Sequence, residues 1–282
     1  MSGSLSEKQS WRALAALCVG LFMTLLDQSL VAVALPQIRR DLDASLNQVV
    51  WVSAVYLLTF AVPLLVTGRL GDRFGQRRVY LTGMALFTVA AFACAFAPTI
   101  EWLIALRAVQ GLGGSLINPQ PLSIINRIFP RERRGAAMGV WSAVAGSTGL
   151  FGPVIGGMLV GTVGWRAVFL FYVPLGLASL FMVYRFVPRL PQAVARIDIP
   201  SALVSLIAVL GVVFALQQGP EYSWAPWIWG VFLVGAVAFA LFVWRQRHTG
   251  EGALVPPALF AHHNFRLGIV AVSTLGFAVY SV

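Results

Sequence analysis

Long apolar segments dominate this sequence, and their length limits the folds that the chain can adopt. Each segment is close to the ~20 residues that an α-helix needs to cross the hydrocarbon core of a bilayer. The alternating short strands that are typical of an outer-membrane barrel do not occur. Because backbone polar groups in lipid must be hydrogen-bonded within the chain, the sequence predicts an all-α polytopic membrane protein. Its nine predicted spans lie at about 12–36, 50–68, 79–98, 101–126, 136–161, 166–187, 199–218, 225–246 and 267–282.

The composition argues against an ordinary soluble domain. Hydrophobic residues make up 59% of the 282 residues and charged residues 11%, whereas a soluble domain carries about 25% charged residues. The net charge of +10 would suit nucleic acid binding, but the arginines lie in short connections between apolar segments, which indicates membrane topology instead. We therefore expect the lipid bilayer, and no nucleic acid, among the partners.

The positive charges alternate from one connection to the next and predict the orientation of the chain. With a cytoplasmic N-terminus, the outer connections hold only Arg39, Arg40 and Arg166, and the inner ones hold the other loop arginines. Such an excess marks the cytoplasmic side of a membrane protein. We expect a multi-pass protein of the cell (inner) membrane. Tryptophan belts form at membrane interfaces, and the outer belt is predicted to contain Trp51, Trp102, Trp165, Trp224, Trp227 and Trp229.

Two charged residues, Asp27 and Arg107, lie inside predicted spans. Charges within the membrane are costly, and such residues usually handle protons, pair with one another or face a wet cavity. At ~1.5 Å per residue, both lie at a similar depth from the outer ends of their spans. They can interact directly or through water if their helices adjoin. Two interpretations stay open for each residue: proton coupling, or a purely structural role supported by a neighbouring helix or by backbone carbonyls.

The connection at 68–78 combines glycines with arginines. The glycines permit a tight turn and close helix approach, and Asp72 can pair with the surrounding arginines or cap a helix N-terminus. This pattern suits a latch between moving helix bundles. An arginine-rich loop is also an ordinary topology determinant.

The fifth predicted span is rich in glycine and contains one proline. Gly152 and Gly156 form a small-xxx-small pair that lets helices pack backbone to backbone. Pro153 removes one internal hydrogen bond and bends a helix. The pattern suits an interface along which two helices move relative to each other, although simple packing explains it as well.

No catalytic set or phosphate-binding loop is apparent in the sequence. His248, His262 and His263 share one connection and give only a weak metal signal. We expect neither an enzyme nor ATP-driven transport, and no cofactor or metal.

Four stretches in order resemble one family, the drug:proton antiporters of the major facilitator superfamily, and in particular the Emr/Qac-like branch with about fourteen spans. They are 26–36 in the first span, 68–78, 103–114 in the fourth span, and 146–157 in the fifth. The resemblance covers the whole chain. It departs from the branch at Tyr172, where the branch usually has Asn.

The resemblance implies proton-coupled efflux of drugs or other amphipathic or cationic small molecules by alternating access. It implies a role for Asp27 in proton coupling, assisted by Arg107, and a periplasmic adaptor protein as a further partner. A cytoplasmic gate would include Gly68, Gly71, Asp72, Arg73, Gly75 and Arg77. An antiporter bend would include Gly149, Gly152, Pro153, Gly156 and Gly157.

The resemblance also predicts how the chain is divided, and two alternatives to drug efflux remain. The last apolar segment lacks a polar flank, so we expect a C-terminally truncated product, which makes a fragment that transports nothing one alternative. The other is an exporter of one specific metabolite, such as an amino acid or a siderophore. The predicted regions are a cytoplasmic N-terminus (1–11), a six-helix bundle (12–187), two extra transmembrane helices with linkers (188–246), and a loop with the start of an incomplete second bundle (247–282).

Overall fold

The computed structural model describes residues 6–192, 198–248 and 263–280, and its regular structure within these ranges is entirely helical, which confirms the all-α prediction. The chain divides into two compact units, unit 1 (Met1–Ala195) and unit 2 (Arg196–Val282). The helices are α1 (Glu7–Asp41), α2 (Leu46–Ala61), α3 (Leu64–Phe74), α4 (Gln76–Ala95), α5 (Ile100–Ile117), α6 (Pro119–Ile128), α7 (Arg131–Thr162), α8 (Arg166–Phe186), α9 (Ile199–Gln218), α10 (Pro226–His248) and α11 (His263–Tyr280).

Seven helical segments of the described chain are long and apolar enough to cross a membrane, with α5 and α6 taken together as one. An eighth span results if α2 and Val66–Phe74, which meet at a bend of 50°, are one segment. These eight segments correspond to the first eight predicted spans. The ninth coincides with α11 as far as residue 280, and its last two residues lie outside the described part.

The predicted loop at 68–78 is mostly helical, so that prediction was wrong. Helix α3 runs to Phe74 and α4 begins at Gln76, which leaves Gly75 alone between them. The φ of Gly75 is +93°, a conformation that glycine adopts without steric cost. Arginine and glutamine are good helix formers, so a polar segment here continues the helices beyond the apolar stretch.

Two prolines differ from the prediction in their position relative to the helix ends. The first span was expected to end at Pro36, but α1 continues through it to Asp41; a proline within a transmembrane helix is tolerated when neighbouring groups satisfy the freed carbonyl. The fourth predicted span is divided at Pro119, which begins α6. Proline suits a first helical turn because its missing N–H would have no helical partner there.

Helix α1 is the core of unit 1, with side chains such as Leu26 and Leu30 completely buried. It packs against α7 and α8, while α5 packs against α2 and α4. Gly113 of α5 lies against the backbone of α4. A Cβ at this position would lie 2.7 Å from the backbone nitrogen of Phe87, so only glycine permits this close approach. Close backbone contact of this kind is how membrane helices associate without a hydrophobic driving force.

Trp165 is not the interface anchor that the sequence predicts. Its side chain is 1% exposed, and Nε1 donates a hydrogen bond to Asp41 Oδ2 at 3.1 Å. Gly164, with φ +100°, makes the turn that directs Trp165 against the end of α1. Here the tryptophan joins two helices rather than facing the membrane interface.

In unit 2, α9 and α10 pack backbone to backbone and are also joined by an ion pair. A Cβ at Gly235 would lie 2.6 Å from the backbone nitrogen of Val212. At the start of α9, Asp198 accepts hydrogen bonds from Ser201 N at 3.3 Å and from Arg245 Nη2 at 3.2 Å. The Asp198 side chain is 10% exposed. Burial opposes its ionisation, but the hydrogen bonds from Ser201 and Arg245 outweigh burial and hold the pKa of this carboxyl below its usual value.

Asp198→Asn is expected to destabilise the α9–α10 pair at neutral pH by about 0.5–1 kcal/mol, because asparagine still caps a helix but carries no charge. A lowered carboxyl pKa gives stability that is present above the unfolded-state value of about 3.9 and is lost as the pH falls below it. Thermal unfolding followed by tryptophan fluorescence should show a smaller difference between wild type and variant at pH 3 than at pH 7. Glu221→Gln, at an exposed position of the same unit, is the matched control. An equal loss at both pH values would contradict the role of the charge.

Candidate functional site

The two charged residues predicted to lie inside spans meet in the interior of unit 1. Asp27 on α1 and Arg107 on α5 are 0% and 1% exposed, and Arg107 Nη2 lies 2.8 Å from Asp27 Oδ2. Arg107 Nη1 donates a hydrogen bond to Asp27 Oδ1 at 2.9 Å. The contact with Oδ2 has the distance of an ion pair but not the geometry of a hydrogen bond, so Oδ1 accepts the hydrogen bonds of this carboxylate. A buried pair of this kind is stable only when further hydrogen bonds help to offset the loss of water.

Gln110 completes the ion pair and is a partner that the sequence pattern alone did not reveal. Its Nε2 donates to Asp27 Oδ1 at 3.1 Å, and its Oε1 accepts from Arg107 Nη1 at 2.8 Å. Arg107 Nε donates to the Val52 carbonyl at 3.1 Å. Arg107 therefore has both the carboxylate partner and the backbone carbonyl that the sequence left open as alternatives. The signal for Gln110 is its spacing of three residues from Arg107, which places both on one helix face.

Aromatic rings surround the Arg107 guanidinium. Its Cζ lies 4.2 Å from the ring centroid of Tyr56 and 5.9 Å from that of Phe169. The Tyr56 hydroxyl donates to the Thr24 carbonyl at 3.3 Å, which joins α2 to α1. Cations are attracted to the faces of aromatic rings, so these side chains help to keep the guanidinium charged away from water.

Glycines of α5 bring α2 close enough to contact Arg107. A Cβ at Gly111 would lie 2.1 Å from Thr59 Oγ1 and 2.5 Å from the Tyr56 carbonyl oxygen. Only a residue without a side chain fits there. The close approach places the Val52 carbonyl and the Tyr56 ring beside Arg107, one turn earlier on α5.

The residues of the predicted gate lie along the boundaries of α3 and α4 with α6 and α8. Asp72 accepts a hydrogen bond from Gln76 Nε2 at 3.1 Å and lies 4.0 Å from Arg127 Nη2. At Gly71, a Cβ would lie 1.9 Å from Gln120 Oε1. Asp72 and Gly71 therefore connect α3 to α6.

The other members of the predicted gate have separate neighbours. Arg77 donates to the Tyr184 carbonyl and lies over its ring, with 5.0 Å from Cζ to the centroid. Arg73 lies 5.4 Å from the ring of Phe74. A Cβ at Gly68 would be 3.9 Å from Pro119 Cβ, and Gly75 makes the turn between α3 and α4.

The glycines of the predicted antiporter bend divide into two groups. A Cβ at Gly152 would lie 2.3 Å from Ser29 Cβ, and one at Gly156 would lie 3.2 Å from Leu30 Cδ2. At Gly149 and Gly157, such a Cβ would have no described atom within 4 Å apart from the neighbouring backbone of its own helix. Pro153 stands inside α7, which is helical from Arg131 to Thr162. The glycines that contact α1 do so two and three residues after Asp27.

Similarity to known proteins extends over nearly the whole chain. A family model described as Major Facilitator Superfamily matches residues 17–281. An uncharacterised MFS-type transporter of Mycobacterium tuberculosis is 42% identical over 98% of this chain and 48% of the relative. The tetracenomycin C resistance and export protein of Streptomyces glaucescens is 37% identical over 95% of this chain and 50% of the relative. The chain thus spans about half the length of these curated relatives.

The fold has counterparts among solved structures. A bacterial homologue of the human lysosomal transporter Spinster, in an inward-facing and occupied conformation, matches with a TM-score of 0.58 and 18% identity. The match covers 85% of this chain and 61% of the other. At this identity the likeness shows the fold alone. The match to the family model over residues 17–281 shows that this chain belongs to the Major Facilitator Superfamily of membrane transporters.

Proposed function

We propose that this chain carries the ion-coupling part of a proton-coupled exporter of drugs or other amphipathic or cationic small molecules. The observation that carries the proposal is the buried ion pair of Asp27 and Arg107, at 2.8 Å and essentially without exposure. Ionisable side chains inside a membrane mark ion and proton pathways. The relative named for tetracenomycin C resistance and export supports the direction of transport. We place the protein in the cell inner membrane with a cytoplasmic N-terminus, within the fourteen-span branch.

In this proposal, protonation of Asp27 opens the pair. A neutral carboxyl no longer attracts Arg107, which keeps the Val52 carbonyl and Gln110 Oε1 as acceptors. Breaking a buried pair by removing one charge costs about 3–5 kcal/mol. One pH unit supplies about 1.4 kcal/mol per proton, and 100 mV supplies about 2.3 kcal/mol per charge. The driving forces are therefore of the size needed to shift the equilibrium between the paired and released states.

Two further groups of residues complete the proposal. Gly71 and Asp72, which connect α3 to α6, would form part of the cytoplasmic gate together with Arg73 and Arg77. Gly152 and the neighbouring α7 glycines would form an interface along which α1 and α7 move relative to each other. The predicted truncation, the division of the chain into four regions and a periplasmic adaptor stay predictions.

Asp27→Asn is expected to abolish transport driven by a pH gradient, because an amide cannot carry the proton. We would measure ethidium efflux from vesicles that contain the full-length transporter, with and without an imposed pH gradient. Exchange of substrate at equal pH should persist, since it needs no net proton movement. Asp198→Asn, a change at a carboxylate of unit 2, is the matched control and should keep gradient-driven efflux. Unchanged gradient-driven efflux in Asp27→Asn would exclude this residue from coupling.

Export of one specific compound is the second candidate, since the Streptomyces glaucescens relative is named for a single compound. An exchange assay against a panel of dyes, antibiotics and metabolites separates the two candidates. Exchange with many unrelated cations supports drug efflux. Exchange with one solute class supports the narrower function.

A further inference from the structure

One buried hydroxyl near the ion pair has no hydrogen-bond partner. The side chain of Tyr172 on α8 is 0% exposed, and its Oη forms no hydrogen bond with any residue that the structure describes. The contrast is with Tyr80, also 0% exposed, whose hydroxyl pairs with Ser179 Oγ at 3.1 Å. A buried hydroxyl without a partner is costly. Its presence therefore calls for an explanation other than stability.

Tyr172 belongs to the aromatic shell around Arg107. Its ring centroid lies 5.9 Å from that of Phe87, which in turn lies 6.5 Å from the ring of Tyr56. Phe169, three residues earlier on the same face of α8, lies 5.9 Å from Arg107 Cζ. Asp27 Oδ2, which lies beside Arg107 Nη2, is likewise buried without a hydrogen-bond partner among the described residues.

The other polar groups that face Asp27 are already engaged. From α5, Arg107 and Gln110 contact it directly. From α2, the Tyr56 hydroxyl is bound to the Thr24 carbonyl. From α4, the Cys94 thiol faces Gln110 Oε1 at 3.9 Å. From α8, only the hydroxyl of Tyr172 is left among the described groups with a free capacity to accept or donate a hydrogen bond.

We propose that Tyr172 is a positioning residue for the proton step, and that its hydroxyl oxygen accepts a hydrogen bond from the neutral Asp27 carboxyl once the pair with Arg107 has opened. The inference rests on the proposed proton coupling at Asp27. The proton stays on Asp27, and the phenol stays neutral. A phenolic oxygen can accept such a bond, and it would hold the neutral carboxyl in one orientation until the proton leaves. In the paired state the same hydroxyl is left without a partner.

The test compares Tyr172→Phe with wild type by infrared difference spectroscopy on the full chain in lipid nanodiscs, between high and low pH. The carbonyl band of neutral Asp27 is identified by its loss in Asp27→Asn. In Tyr172→Phe we expect this band to move to higher wavenumber, because the carboxyl has lost a hydrogen bond. Gradient-driven efflux by the full-length transporter should slow by about two- to tenfold, the range that one hydrogen bond allows. The thermal midpoint at high pH should not fall.

Tyr80→Phe is the matched control, since it removes another buried hydroxyl from unit 1. It should leave the Asp27 band in place. An Asp27 band at the same position in Tyr172→Phe and wild type would overturn the inference and leave proton coupling intact, as would equal displacement of the band in both tyrosine variants. Failure to detect any band that Asp27→Asn removes would instead contradict the proposed function.

Discussion

Arg107→Met is expected to lower the free energy of unfolding by about 3–5 kcal/mol, the largest loss among the single changes considered for this chain. Methionine fills much of the same space, so the loss comes mainly from the charge. Asp27 would be left buried without its cation, and the Val52 carbonyl and Gln110 Oε1 would lose their donor. Gradient-driven transport should disappear together with the pair.

The double variant Asp27→Leu with Arg107→Met separates the effect of the charge from that of packing. Replacing a whole buried ion pair by apolar residues of similar volume is often neutral or stabilising. We therefore expect the double variant to regain most of the stability that the single variant loses. The coupling energy of such a cycle is measured from unfolding in mixed micelles followed by helical circular dichroism.

Arg245→Met provides the comparison in unit 2. The Arg245 side chain is 33% exposed in its pair with Asp198, and exposed pairs contribute about 0–1 kcal/mol. A double variant that is as unstable as Arg107→Met alone would contradict the view that an uncompensated charge dominates. So would an equal loss in Arg245→Met.

The ion pair could be predicted because its signal is local. A charge inside an apolar segment is rare, and the fixed rise of a helix converts positions 27 and 107 into depth. The partner Tyr56 could not be found in this way. Its contact with Arg107 depends on the distance between α2 and α5, which small residues such as Gly111 set and which a uniformly apolar helix does not encode in its periodicity.

The ends of the helices were predicted less well, for a related reason. Arginine excess identifies the side of the membrane on which a connection lies, but arginine is also a good helix former. The segment from Gly68 to Phe74 is therefore helical despite its charge. Trp165 was misassigned because a tryptophan next to a polar connection suits a membrane interface, while its bond to Asp41 depends on the turn at Gly164.

In the glycine-rich stretch of α7, the sequence predicts a packing pair but not the helix that it contacts. Gly152 and Gly156 form the small-xxx-small pair, whereas Gly149 and Gly157 belong only to the wider predicted bend. In the structure, those at 152 and 156 face α1 and the other two do not contact any described side chain or backbone outside their own helix. Which glycines matter for packing is set by the direction of the helix face, and this difference can be measured.

Gly152→Ala is expected to destabilise unit 1 by about 1–3 kcal/mol, the usual cost of forcing a methyl group into a packed contact. The added Cβ would lie 2.3 Å from Ser29 Cβ, so α7 and α1 must separate two residues from Asp27. Gradient-driven efflux should fall with the stability. Gly149→Ala on the same helix meets open space and should be neutral or stabilise the helix by up to about 1 kcal/mol.

Ser29→Gly in the Gly152→Ala background tests whether the contact itself is responsible. Removing the Ser29 side chain makes room for the new methyl group, because the two closest atoms to the Gly152 Cβ position are Ser29 Cβ and Oγ, at 2.3 and 2.9 Å. The double variant should recover both stability and efflux in part, less the cost of about 0.5–1 kcal/mol of a glycine inside α1. Equal behaviour of the alanine variants at 149 and 152, or no recovery in the double variant, would show that the α1–α7 contact is not the reason that glycine stands at this position.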